Sequence, residues 1–138
     1  MKPEEVQALY DPAYAQAYDE KFLHSKVDQT RTREFARMLS GHLGSVEEGK
    51  AWLDLGCGTG YFLSQFPKHM RAGLDLSPAM LDIARQRNPG TDFTQGSFTE
   101  AHPEWENQWD VITCMWYAYG LLDDLAQIKT LLHNLARW

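Results

Sequence analysis

Between Tyr10 and Leu43 the apolar positions recur at helical spacing. Tyr14, Tyr18 and Phe22 stand four apart, and Phe35, Met38, Leu39, His42 and Leu43 follow an i, i+3, i+4, i+7, i+8 pattern. The spacing predicts a short helix from Pro3 to about Leu9 and a second after Asp11-Pro12. A third runs from about Val27 to Leu43, with Gly41 and Gly44 marking its end. The pattern changes at Ala51. Ala51–Leu55 reads as an apolar strand, and a helix follows through Tyr61, Phe62, Leu63 and Phe66 until Pro67 stops it. Arg71–Leu76 is a second strand. Ser77-Pro78 starts a helix carrying Met80, Leu81, Ile83 and Ala84, which closes at Asn88-Pro89-Gly90. A third strand spans Thr91–Thr94 and a fourth Trp109–Met115. The last helix begins near Asp123 or Asp124, with Leu125, Ile128, Leu131, Leu132 and Leu135 as its expected buried face.

Strands alternating with helices imply an α/β fold, a parallel sheet with crossover helices. At 138 residues the chain suits one domain: residues 1–45 as a helical cap and 46–138 as the core. The formal net charge of −6, with no basic run, disfavours a phosphate-binding face and hence nucleic acid. No apolar run approaches a membrane span, and the polar start Met1-Lys2-Pro3-Glu4-Glu5 has no signal-peptide core behind it. Cys57 and Cys114 sit in no disulfide or metal framework and read as small buried residues. A reducing, cytoplasmic setting follows as the expectation. No ligand spacing for a metal is present.

The chemistry concentrates in Leu53-Asp54-Leu55-Gly56-Cys57-Gly58-Thr59-Gly60. Glycines at a strand-to-helix turn let backbone approach a ligand where a side chain would collide. A dinucleotide site uses such a turn for pyrophosphate. Here the spacing is G-x-G-x-G, and Tyr61 stands where the last glycine of that fingerprint belongs, which disfavours a nicotinamide-dependent dehydrogenase. A second run, Gly73-Leu74-Asp75-Leu76-Ser77-Pro78-Ala79-Met80-Leu81, places Asp75 at the end of the second strand, 19 residues after Gly56. A carboxylate there offers two oxygens in one plane, which fits the vicinal hydroxyls of a ribose.

These two runs resemble the signature of class I (Rossmann-like) S-adenosylmethionine-dependent methyltransferases of the small-molecule type. The resemblance implies a sheet of about four strands in order 3-2-1-4 flanked by helices, with S-adenosylmethionine as cofactor and S-adenosylhomocysteine as product. By that resemblance Gly56, Cys57, Gly58 and Gly60 lie against the methionine end, and Asp75 binds the ribose. Leu76 lies against adenine with Met80 nearby. Asp54 either orients loop amides or reaches the cofactor amine through water. Ser97, before Phe98, replaces the Asp that the family often uses for the adenine amino group, and a hydroxyl still accepts one bond.

Thr113-Cys114-Met115-Trp116-Tyr117-Ala118-Tyr119 ends the fourth strand and faces the methyl group and the acceptor, because ligands of open α/β sheets sit beyond the strands' carboxyl ends. The segment lacks the Asn/Asp-Pro-Pro-aromatic tetrapeptide of amide and base methylating enzymes, which points to a small-molecule acceptor. Trp116, Tyr117 and Tyr119 either cover the sheet or line the pocket. Tyr14, Tyr18 and Phe22 at helical spacing are commonly core-facing. The Tyr10-Asp11 and Tyr18-Asp19-x-x-Phe22 pattern nevertheless resembles small-molecule members whose tyrosines help cover the cofactor. His24 reads as solvated, and no histidine sits in a base–orienter arrangement, so no catalytic base is assigned.

The family fold has seven strands, and this sequence supplies four. The expected fold is therefore a truncated one whose fourth strand has an open edge, which invites a homodimer, a partner chain, or continuation in a longer protein. Two functions follow: methyl transfer to a small molecule by in-line displacement, or a non-catalytic cofactor-binding or interaction module built on half of the fold.

Overall fold

A computed structural model describes residues 1–138. Helices α1 (Pro3–Leu9), α2 (Pro12–Leu23) and α3 (Lys26–Leu43) precede the sheet. Strands β1 (Ala51–Leu55), β2 (Met70–Asp75), β3 (Asp92–Gln95) and β4 (Val111–Cys114) alternate with α4 (Tyr61–Ser64), α5 (Pro78–Arg87) and α6 (Leu125–Leu135). All strand pairs are parallel, in the order β3-β2-β1-β4. The expected Rossmann-like architecture is the observed one.

Local signals account for the helix starts. Asp11, Ser25, Ser77 and Asp124 each accept a backbone N–H of the first turn, and Pro12 and Pro78 occupy first helical positions. The ends differ more from expectation. Gly41 lies within α3, and Gly44 alone, at φ 68°, terminates it. α4 is one turn only, so little helix dipole stands behind the glycine loop. β4 begins two residues later than Trp109 and ends before Met115.

Two apolar clusters sandwich the sheet. Trp52, Cys57 and Leu81 pack with Leu39 and Leu43 of α3 and with Phe62 and Leu63 of α4 on one face. Leu53, Leu55, Ala72 and Leu74 pack with Phe98, Leu131 and Trp138 on the other. The register pairs Leu53 with Ala72 on one side and Ile112 on the other, which fixes both faces. Asn134 is buried in α6 and donates to the carbonyls of Phe98 and Glu100, tying that helix to the loop after β3. The expected face of α6 is only half right: Leu131 is buried, but Leu125 is 73% and Leu132 58% exposed. Met38 of α3 is likewise exposed. Their periodicity is helical, but no neighbouring element covers that side.

Candidate functional site

The carboxyl ends of β1, β2 and β4 open onto a cavity of about 230 Å³. Its floor is the turn after β1, where Gly56, Gly58 and Gly60 all have φ between 53° and 68°. That left-handed region is costly for a residue with Cβ. The three glycines do different work. A Cβ on Gly56 would lie 2.6 Å from the Ala118 Cβ, and one on Gly60 would lie 2.6 Å from Asn88 Nδ2 and 3.0 Å from the Ala84 Cβ. A Cβ on Gly58 would meet nothing within 4 Å, because it faces the open cavity. Gly58 therefore keeps space for a ligand, while Gly56 and Gly60 admit neighbouring protein.

Asp75 holds this turn in shape. One carboxylate oxygen accepts Gly58 N–H at 2.8 Å and the other accepts Ser77 N–H at 2.8 Å. Gly56 and Cys57 N–H both go to the Leu74 carbonyl. A carboxylate has about four acceptor directions, so Asp75 keeps acceptor capacity for a ligand at the cavity wall it lines. Burial pushes its carboxyl above the ordinary range, and the amides of Ser77, Gly58 and Leu76 pull it back.

Asp54 is 2% exposed. It takes no loop amide; its partner is the Thr113 hydroxyl at 2.6 Å, which in turn accepts Trp52 Nε1–H at 2.8 Å. The alternative that Asp54 orients the loop is thereby corrected, since Asp75 and the Leu74 carbonyl do so. Burial raises the Asp54 carboxyl to about 7, against the lowering effect of the Thr113 hydrogen bond, and the nearby Asp75 charge adds to the rise.

Of the twelve residues expected at the site, ten line the cavity: Asp54, Gly56, Cys57, Gly58, Asp75, Leu76, Met80, Ser97, Phe98 and Tyr18. Gly60 does not, being packed against α5, and Thr113 stands behind Asp54. The Ser97 hydroxyl is engaged locally with Thr99 Oγ1 at 2.8 Å and with Thr99 N–H at 3.2 Å. Trp116 and Tyr117 line the cavity but Tyr119 does not. Trp116 and Tyr117 are consecutive left-handed residues, at φ 55° and 64°, an uncommon conformation for bulky side chains. The turn sends Trp116 under α3, where Arg31 lies over its ring, and leaves Tyr117 69% exposed at the mouth.

The cap closes the opposite side with Val6, Tyr10, Tyr18 and Leu23. Burial, with Tyr10, Tyr14, Asp75 and Asp19 adding, pushes the Tyr18 hydroxyl to about 12, so it remains a neutral donor. Tyr61, Phe62 and Met115 also line the cavity. In sequence Phe62 reads as an ordinary apolar position of a helix, Tyr61 as a position of that helix and a departure from the dinucleotide fingerprint, and Met115 only as part of the segment that ends the fourth strand. No Lys, Arg or His side chain lines this cavity, whereas two carboxylates do. That lining offers a pyrophosphate no Lys, Arg or His to pair with. Gly58's open face, the spare acceptors of Asp75 and the apolar wall of Leu76, Met80 and Phe98 fit the methionine, ribose and adenine parts of S-adenosylmethionine.

Comparison with known proteins agrees. Residues 53–138 match the family model described as "Methyltransferase domain". The chain is 28% identical over 135 residues to the dTDP-4-amino-2,3,4,6-tetradeoxy-D-glucose N,N-dimethyltransferase of Saccharopolyspora spinosa, covering 96% of this chain and 53% of that protein. Its fold superposes on Streptomyces venezuelae DesVI with a TM-score of 0.72 at 25% identity, covering 89% of this chain and 51% of that one. It superposes on S-adenosylmethionine-bound CalS10, an amino pentose methyltransferase of Micromonospora echinaspora, with a TM-score of 0.65 at 27% identity, covering 83% and 52%. The chain thus spans about half the length of these relatives. No helix is long and apolar enough to cross a membrane. With the glycine turn, the Asp75 strand end, the 3-2-1-4 sheet and the family match all in agreement, the chain belongs to the class I S-adenosylmethionine-dependent methyltransferases.

Proposed function

We propose that this chain binds S-adenosylmethionine in the cavity and presents its methyl group to a small-molecule acceptor. The observation that carries the reading is a cavity lined by Asp54 and Asp75, with no basic side chain, above a glycine turn whose Gly58 faces open space. The cofactor, when bound, supplies an already activated methyl group. The chain's own part is to bind, align and exclude water. Asp75 takes the ribose hydroxyls, and Gly56, Cys57 and Gly58 lie against the methionine end. Leu76, Met80 and Phe98 hold adenine, with Ser97 as a weak polar contact. Thr113 fixes Asp54 from behind, and Tyr18 covers the cofactor from the cap. In-line displacement needs the acceptor's lone pair opposite the departing sulfur, and Met115 to Tyr117 flank that approach. The aromatic mouth and the amino-sugar relatives support a small polar organic acceptor.

In this reading residues 1–45 serve as the cap of one domain whose core is 46–138. The two free thiols suit a reducing compartment such as the cytoplasm. Calorimetry with S-adenosylmethionine and S-adenosylhomocysteine tests the site: saturable binding of both is expected, and no heat with either at millimolar levels overturns it.

A second reading is favoured by the sheet edge. β4 pairs only with β1, none of its four residues is fully buried, and Leu125 and Leu132 of α6 are exposed. In that reading the chain is a cofactor-binding module whose β4 edge is covered by a second copy or a partner chain. Binding of S-adenosylhomocysteine without methyl transfer to any acceptor in a broad screen selects it.

A further inference from the structure

The cavity has a roof only because the cap stays in place. Helix α5 pins the cap at both of its ends. At its N-terminus Ser77 Oγ donates to the Tyr10 carbonyl at 2.7 Å. At its last turn Arg87 forms an ion pair with Asp19 of α2. Thr59, inside the glycine turn, sits between the two charges: its hydroxyl donates to Asp19 Oδ1 at 2.6 Å and lies 2.9 Å from Arg87 Nη1. Arg87 Nη1 also donates to the Thr59 carbonyl at 2.9 Å. Thr59 is 2% exposed, so the node is anchored inside the protein although Asp19 and Arg87 retain some contact with solvent.

An isolated, partly exposed ion pair contributes little to stability. This one differs in what it joins. Asp19 follows Tyr18, which lines the cavity, and Thr59 follows Gly58, whose open face is the cavity floor. Roof and floor therefore share a three-way hydrogen-bonded junction, and moving either one breaks it.

We infer that Asp19, Arg87 and Thr59 form a latch that holds the cap closed over the cofactor cavity, so that its opening sets the rate of cofactor exchange. Asp19 and Arg87 act as positioning residues: neither lines the cavity itself, and they work through the lining residues Tyr18, Thr59 and Tyr61. The cofactor part of this inference rests on the reading that the cavity holds S-adenosylmethionine. The latch itself rests on the geometry alone.

The test uses Arg87→Met, which keeps an apolar side chain but removes the charge, the hydrogen bonds and the guanidinium over the Tyr61 ring, and Arg87→Lys, which keeps the charge but not the fork. Stopped-flow tryptophan fluorescence measures association and dissociation of S-adenosylhomocysteine, and amide hydrogen exchange is read without ligand. Arg87→Met is expected to raise the dissociation rate about tenfold and Arg87→Lys about threefold, with association slowed in neither. In Arg87→Met the amides of α1 and α2 exchange faster while those of β1 and β2 hold their wild-type protection. A wild-type dissociation rate together with wild-type cap exchange overturns the latch. So does faster exchange spread through β1 and β2, which marks an ordinary structural contact. If the wild-type chain takes up no S-adenosylhomocysteine, the functional reading fails, and cap exchange alone then decides the latch.

Discussion

β1 and β4 are neighbours of similar composition with opposite surroundings. All five residues of β1 are buried, whereas all four of β4 are only partly so. β1 has a strand on each side and a helix layer on each face. β4 has β1 on one side and none on the other. The half of the molecule around β1 and β2 carries the glycine turn, Asp75 and the latch to the cap. The half around β4 and α6 carries a left-handed aromatic turn and an uncovered leucine stripe. What separates them is neighbours, and neighbours decide how much each side chain contributes.

The largest test of this contrast uses one cross-strand pair. Leu53 and Ile112 face each other in register, but Leu53 is 0% exposed and Ile112 half-buried. Leu53→Ala should cost about 3 kcal/mol and Ile112→Ala about 1 kcal/mol in urea unfolding of the isolated chain. Equal losses would mean that β4 is as enclosed as β1 in solution, and the contrast would fail.

The next effect concerns binding. Asp75→Asn removes the charge and one of the acceptors that serve both the loop and the ligand. It should weaken S-adenosylhomocysteine about a hundredfold by calorimetry. Tyr117→Ala, on the other side of the mouth and 69% exposed, should change that affinity by no more than about twofold. A large loss in Tyr117→Ala would place part of the cofactor grip on the β4 side.

Much of the first half could be read in sequence, and little of the second. The glycine turn, Asp75 and the Ser77-Pro78 helix start are contiguous signals whose chemistry is local. The junction of Asp19 with Arg87 joins residues 68 apart and leaves no local mark. Gly58 and Gly60 look alike as letters, yet one faces the cavity and the other faces Asn88 and Ala84. Leu125 and Leu132 satisfy helical periodicity as well as Leu131 does. Periodicity reports that a face is apolar, and only the packing reports whether anything meets it.

A smaller effect joins the two halves, because Asp54 on β1 hydrogen-bonds Thr113 on β4. With its carboxyl raised to about 7, the native state holds a proton that the unfolded chain has already released between about pH 4 and pH 7. The contribution is therefore full below pH 4 and is lost as pH rises through 7. Asp54→Asn keeps an acceptor for Thr113 and cannot ionise. Its stability relative to wild type should improve by on the order of 2 kcal/mol between pH 5 and pH 8. A pH-independent difference in thermal unfolding would show that Asp54 does not change charge in this window.

The smallest expected change in stability falls at the uncovered edge, and it discriminates most sharply between a bare edge and an occupied one. Leu132 is 58% exposed, so replacing it costs little buried area. Leu132→Glu should alter the unfolding free energy of the isolated chain by less than about 0.5 kcal/mol. If β4 and α6 meet a second copy, the same substitution places a carboxylate in an apolar contact and shifts the sedimentation equilibrium towards monomer. Wild type and Leu132→Glu sedimenting alike as monomers at high concentration would remove self-association as the cover of this edge. A substitution nearly silent in stability but decisive in association would show that the stripe is exposed in one chain and used between two.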